Sequence, residues 1–111
     1  MRRLEVVYRP AALADLQDIY RIVFRFSESH RTAAGFVERI MSRARRIGDA
    51  PLGGRPRDDL AAGLRTIPFE RTAVIAYRVL ERVEITNVFY GRRDYEALYR
   101  PRDEPENEAN G

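Results

Sequence analysis

"TAVIAYRVLERVEITNVFY", residues 72–90, is the stretch on which the fold turns. It holds two alternating runs separated only by Glu81 and Arg82. In the first, Ile75, Tyr77 and Val79 alternate against Val74, Ala76 and Arg78. In the second, Val83, Ile85 and Phe89 stand against Glu84, Thr86, Val88 and Tyr90. A period of two marks strands that bury one face, because successive side chains point to opposite sides of a pleated chain. So short a link leaves room only for an antiparallel hairpin, although the turn lacks the usual Gly or Asn. A lone hairpin is not stable in water, so its apolar face needs a cover.

The chain before it supplies that cover. "LRTIPF", residues 64–69, predicts a third, short strand ending near Pro68. Ahead of it lies "GGRPRDDLAAGLR", residues 53–65, too broken for a helix and too polar for a strand. Further back, Leu13, Leu16, Tyr20 and Val23 recur at helical spacing, with Ile19 and Phe26 widening the stripe. They predict a helix from about Pro10 to Phe26, with Pro10 tolerated in its first turn. "SESH" breaks the pattern, and Ser29 is a suitable N-cap for a second helix. Its stripe is Ala33, Val37, Ile40, Ala44 and Ile47, with Phe36 and Met41 beside it, and Gly48 and Pro51 end it. Two amphipathic helices on a short link form an antiparallel hairpin. "LEVVYRP" opens the chain as a strand, Leu4, Val6 and Tyr8 alternating against Glu5, Val7 and Arg9. The expected order is β-α-α-β-β-β. That is an α+β domain over residues 1–99, with the helical hairpin on one face of a small, mostly antiparallel sheet. The first strand is expected at an edge or beside the last. "RRDYEALYR" predicts a short C-terminal helix with Asp94 as N-cap, and residues 100–111 read as a disordered acidic tail.

Composition limits the chemistry. The 111 residues suit one domain with one modest core. Without cysteine there is neither a disulfide nor a thiolate zinc site. Every basic residue is arginine, a fixed cation that forks onto carboxylates and phosphates and does not serve as a proton-transfer base. The net charge is +3; residues 100–111 carry two arginines against four acids, so the remainder is about +5. That favours acidic partners mildly and is far from a nucleic-acid-coating protein. The N-terminus has no apolar segment after its arginines, so it does not read as a signal peptide. No run is long enough to span a membrane. A cytoplasmic protein is expected.

The single histidine, His30, falls at the start of the second helix and reads as an exposed helix-start residue. No His/Asp/Glu cluster has metal-ligand spacing. "GGRPR" lacks the Walker lysine, and no serine sits in a nucleophile elbow. No catalytic residue, metal or cofactor is assigned. Arginines, however, gather at "GRPR", "GLR" and "YGRRD", around the loop, the first sheet strand after the helices and the end of the last strand. Strand ends converge in space, so Arg55, Arg57, Arg65, Tyr90, Arg92 and Arg93 form a candidate target-binding surface. Arg65 and Arg78 can also pair with Asp58, Asp59 or Glu84. Arg39, Arg43 and Arg46 share one face of the second helix.

The ordered set resembles the ParE toxins of the RelE/ParE superfamily, the toxin halves of type II toxin–antitoxin modules known as plasmid-stabilisation proteins. The similarity runs from about Val6 to Asp94. It is carried by Ala14-Asp15-Leu16, Gly54-Arg55-Pro56-Arg57, Gly63-Leu64-Arg65, Tyr77-Arg78-Val79 and Gly91-Arg92-Arg93-Asp94. Many relatives have His where this chain has Tyr90. The resemblance implies a non-enzymatic toxin that inhibits DNA gyrase. The alternative is a RelE-type ribosome-dependent mRNA endonuclease, with Arg55, Arg57, Arg65 and Arg92 on the phosphate and Tyr90 or Tyr95 moving protons. That branch uses Lys, Arg, Glu, His and Tyr near its last strand, and this chain has no lysine and no late histidine. The resemblance also implies a cognate ParD-like antitoxin in a hetero-oligomer, with no direct DNA binding by the toxin alone. An antitoxin segment that folds on the toxin needs an apolar floor and a cationic rim. Phe24, Phe36, Arg39, Arg43 and Arg46 are the residues expected to provide them.

Overall fold

The computed structural model describes residues 3–91 and 94–101; Arg92, Arg93 and the predicted tail beyond Pro101 lie outside them. Two helices, α1 (Pro10–Ser27) and α2 (His30–Ile47), form the expected hairpin. Pro10 begins α1, where its missing N–H costs nothing. Glu28 closes α1 in a left-handed conformation, φ 54°, its N–H donating to the Phe24 carbonyl at 2.7 Å. Ser29 caps α2 as expected, its hydroxyl accepting from the Thr32 N–H at 3.1 Å. At Gly48 a Cβ would collide with the Leu4 carbonyl. Glycine there lets the chain start draw alongside, and Leu4 N–H donates to the Gly48 carbonyl at 3.0 Å.

One five-stranded sheet has the order β1-β5-β4-β3-β2, with β1 at Val6–Tyr8, β2 at Arg55–Pro56, β3 at Leu64–Phe69, β4 at Ala73–Val79 and β5 at Val83–Tyr90. The first strand is both at an edge and beside the last, parallel to it, with Val6 opposite Val83 and Tyr8 opposite Ile85. The helical hairpin is the crossover that makes the parallel pairing possible. The remaining pairs are antiparallel. The two-residue β2 is unforeseen by the sequence pattern. It pairs with Arg65 and Thr66, and the Arg57 N–H extends the pairing to the Leu64 carbonyl at 2.7 Å. By strand alternation, Leu64, Thr66 and Pro68 turn their backbone groups to this side of β3. Pro68, exposed and beyond β2, offers no N–H there.

The alternation read for β5 fails halfway. Tyr77 lies opposite Ile85 but Ala76 lies opposite Asn87, so Thr86 is an extra residue, a β-bulge. It reverses the phase: Val83, Ile85, Val88 and Tyr90 face the helices, and Phe89 faces away. Past Ile85, β1 has run out and α1 takes its place. Asp15 accepts from the Val88 N–H at 2.9 Å and from the Asn87 amide at 3.1 Å. The Asp15 carboxylate therefore holds the bulge and locks α1 to the sheet.

The helix stripes also shift. Ala12, Leu16 and Ile19 are the buried residues of α1, whereas Leu13 is 47% and Phe26 83% exposed. In α2 the core positions are Ala33, Phe36, Ile40, Ala44 and Ile47; Val37 and Met41 sit only half-buried at its margin. Apolar residues cover more of each helix than the sheet can bury, so the centre of the pattern is not the centre of burial. On the opposite face of the sheet, Leu64, Ala76 and Phe89 form a second, small core under Leu60, Ala61, Tyr95 and Tyr99. The predicted C-terminal helix is a 3-10 turn, Tyr95–Tyr99. Asp94 precedes it without capping it, and its carboxylate instead meets Arg100 at 3.3 Å.

Candidate functional site

The arginine-rich loop is a fastened structure. Tyr77, fully buried, reaches it from β4: its hydroxyl accepts from the Gly54 N–H and donates to the Pro51 carbonyl, both at 2.8 Å. A Cβ at Gly54 would come within 2.8 Å of the Tyr77 ring, so only glycine admits this approach. Arg65, beside Tyr77 on the same face, donates to the Leu52 carbonyl at 3.0 Å and the Gly54 carbonyl at 2.8 Å. Arg57 is 7% exposed. It forks onto Asp59 at 3.0 and 2.9 Å and reaches Glu96 at 2.9 Å. Hydrogen bonds to Asp59 and then Glu96 hold the Arg57 guanidinium above its ordinary pKa, and Arg57 holds the Asp59 carboxyl below its own. Tyr95 stacks on Phe89 at 4.9 Å, so this triad pins the C-terminal turn over the small core.

The expected target-binding residues therefore separate. Arg55 is exposed on β2. Arg57 and Arg65 lie near it, but their guanidinium groups are bound within the protein. The pairings anticipated for Arg65 with Asp58 or Asp59 do not form; Asp58 accepts from the Gly63 N–H and Asp59 takes Arg57. Tyr90 stands at the other end of the strands, opposite Ala73, about 13 Å along from the Arg65–Tyr77 row. There it packs edge-on against Phe36, ring centres 5.6 Å apart. Arg92 and Arg93 are outside the described residues.

The expected cationic groove also divides. Phe36 is 8% exposed, a core residue between Phe69 and Tyr90, because it points at the sheet. Arg39 lies over the Phe36 ring and pairs with Glu70 at 2.9 Å, in the turn between β3 and β4. At helical spacing, Arg43 and Arg46 follow Arg39 along that flank of α2. The opposite flank, against α1, holds an apolar groove of about 430 Å³ lined by Leu13, Leu16, Tyr20, Ala34, Val37 and Met41, with Gln17 and Glu38 at its rim. Tyr20 continues it into a second hollow with Phe24, Arg21, Arg25 and Glu28. Phe24, 44% exposed, thus belongs to a groove, but one rimmed by Arg21 and Arg25. His30 is exposed at the start of α2, and its Nδ1 is 2.6 Å from the Tyr20 hydroxyl. Among the described residues, no three His, Asp or Glu side chains gather as a metal site, and no helix is long and apolar enough to cross a membrane.

The sequence reading gave no structural role to three residues of consequence: Asp15, Tyr77 and Glu96. A lone acid on the buried side of an amphipathic helix was the available signal for Asp15. A tyrosine among small aliphatic residues in a central strand was the signal for Tyr77.

A mixed sheet, a helical hairpin and a fastened arginine loop describe a family as well as a fold. The model of the ParE toxin of the type II toxin–antitoxin system, parDE, matches residues 6–95. The chain belongs to that toxin family. Among solved structures, a chain from the chromosomal ParDE TA system of P. aeruginosa superposes with a TM-score of 0.69 at 21% identity, covering 81% of this chain and 98% of that one. At that identity the likeness speaks for the fold. No curated protein sequence matches the chain.

Proposed function

We propose that this toxin inhibits DNA gyrase by binding, without chemistry of its own, and that a ParD-like antitoxin neutralises it by laying an amphipathic helix in the α1/α2 groove. The groove carries the antitoxin half of this reading. It is an open apolar floor on a soluble domain, continuous from Leu13 and Met41 to Phe24. Such a floor suits anchors spaced one helical turn apart. The antitoxin helix places its carboxylates by Arg21 and Arg25 and its uncharged side by Glu38. Apolar anchors supply most of the affinity, and the exposed ion pairs set association rate and direction. For the target half, the support is family membership and the internal engagement of Arg57 and Arg65, two of the arginines a nuclease would turn on phosphate. Arg55, Tyr90, Arg92 and Arg93 are the residues proposed to face the target.

Two experiments test the halves separately. Gyrase with supercoiled DNA should accumulate cleaved complexes when purified toxin is added, while cellular messages stay intact in primer extension. No cleaved complex at micromolar toxin, or cuts within codons on ribosomes, overturns the gyrase reading. Leu13→Asp with Val37→Asp should weaken antitoxin binding at least about a hundredfold, since buried interface anchors are worth several kcal/mol together. Arg39→Glu with Arg46→Glu should leave it near the wild-type value. The reverse ranking overturns the groove assignment.

A further inference from the structure

On the face of the sheet away from the helices, close to the start of α1, lies a polar cleft of about 440 Å³ lined by Arg9, Pro10, Ala11, Arg78, Thr86 and Asn87. Its charges do not balance. Glu84, directly across from Arg78 in the β4–β5 register, is the carboxylate at hand. Arg9 takes it at 3.3 Å and Arg82 approaches at 3.8 Å. Arg78 is half-buried and finds no carboxylate among the described residues. Two guanidinium groups thus share one acid, and the third has none. Asn87 gives one amide hydrogen to Asp15 and keeps the other. The Tyr99 hydroxyl is buried and has no hydrogen-bond partner among the described residues. Burial raises its pKa and Asp15 adds to the rise, against the neighbouring Thr86 hydroxyl and, more weakly, the charge of Arg78.

We infer that this cleft is a phosphate subsite in which Arg9 and Arg78 hold one backbone phosphate of a nucleic-acid strand. The guanidinium fork matches two phosphate oxygens at once, and a half-buried arginine is screened less than one on the open surface. The cavity is lined by polar groups and walled by Pro10 and Ala11, with no apolar floor for a side-chain anchor. A phosphodiester needs none, whereas an acidic peptide does to bind with useful affinity. The subsite is independent of the gyrase reading: it concerns the toxin and a strand alone. It also runs against the expectation, implied by the family resemblance, that the toxin alone does not bind DNA directly.

The experiment is fluorescence anisotropy of a labelled single-stranded oligonucleotide of about a dozen nucleotides, titrated with the full-length toxin at several salt concentrations without gyrase. Weak, salt-sensitive binding is expected. Arg78→Gln and Arg9→Gln should each weaken it about fivefold to tenfold and lower the slope of log K against log salt by about 0.7, the share of one phosphate contact on a single strand. Arg78→Lys should keep the slope and lose affinity, because the point charge lacks the fork. Arg31→Gln, exposed at the start of α2, should change neither. Arg9 is exposed, so its variant reports even if the Arg78 variants fold poorly. Equal binding by wild type and Arg9→Gln overturns the proposal. So does displacement of the strand by an acidic peptide of matched charge at the same concentration, which would make the cleft a protein-docking surface. Gyrase inhibition that survives in Arg9→Gln leaves the gyrase reading standing, whichever way the strand experiment falls.

Discussion

The two faces of the sheet are held by different physics. Towards the helices, Leu16, Ile19, Ile40, Ile47, Ile75 and Ile85 pack into a continuous apolar core with Tyr77 among them. Away from the helices, Leu64, Ala76 and Phe89 are too few to hold a cover by burial alone, and the cover is secured by Arg57 with Asp59 and Glu96. The first face resists whatever leaves water's aversion to hydrocarbon intact. The second depends on ionisation, so protons can loosen it while the first stays packed.

The strongest way to break this contrast is in the helix-facing core. Ile75→Ala removes side-chain volume from a fully buried site and should cost about 2–5 kcal/mol, read by urea denaturation of the purified domain. Hydrogen exchange should then rise across both faces, since β4 is central to the sheet. A loss below about 1 kcal/mol would mean that the core is not continuous.

A smaller effect is expected at the link between face and loop. Tyr77→Phe leaves the ring in place but strands the Gly54 N–H and the Pro51 carbonyl. The cost should be about 1–3 kcal/mol, with exchange accelerating first at Gly54. Unchanged exchange there would show that the hydroxyl does not hold the loop.

Acid should sharpen the contrast most gently. The hydrogen bond from Arg57 holds the Asp59 pKa below that of an ordinary aspartate. Its contribution is complete above that unfolded value and is lost as pH falls through the lower folded value. As pH falls below the ordinary aspartate range, exchange at residues 95–99 should therefore rise before exchange in α1 and α2 does. Glu70, lowered by Arg39, has the same sign, so the difference between wild type and Arg57→Gln isolates the part that depends on Arg57. Identical acid limbs in the two proteins would remove Arg57 as the fastener.

Much of this architecture was legible in the sequence because period and punctuation agree. Pro10, Ser29 and Gly48 mark helix ends that the structure keeps, and the β4–β5 hairpin follows from its short link, which in the structure is Leu80, Glu81 and Arg82. The bulge was not legible. Thr86 is an ordinary strand residue, and nothing in its identity announces that the next four positions change sides. Nor was β2, since two residues carry no period. At the candidate site, sequence grouped arginines by proximity in the chain, but whether a guanidinium is available depends on the carbonyls and carboxylates that folding brings to it. Leu52, Gly54, Asp59 and Glu96 settle that for Arg65 and Arg57. On α2 the helix has more apolar surface than core, so Phe36, expected in a groove, points in, and Val37 and Met41 line the outside.

Pro68 has a consequence for how copies of this chain can meet. A filament built by pairing strands edge to edge requires two competent edges on every copy, one to accept a neighbour and one to offer itself. Along β3, beyond the two residues of β2, the outward position is a proline with no hydrogen to give. The other edge, β1, is three residues long and runs into Arg9 and Pro10. Pairing through β1 ends with two copies, because neither then presents a second usable edge. The imino acid, with the shortness of both edge strands, thus works against edge-to-edge polymerisation.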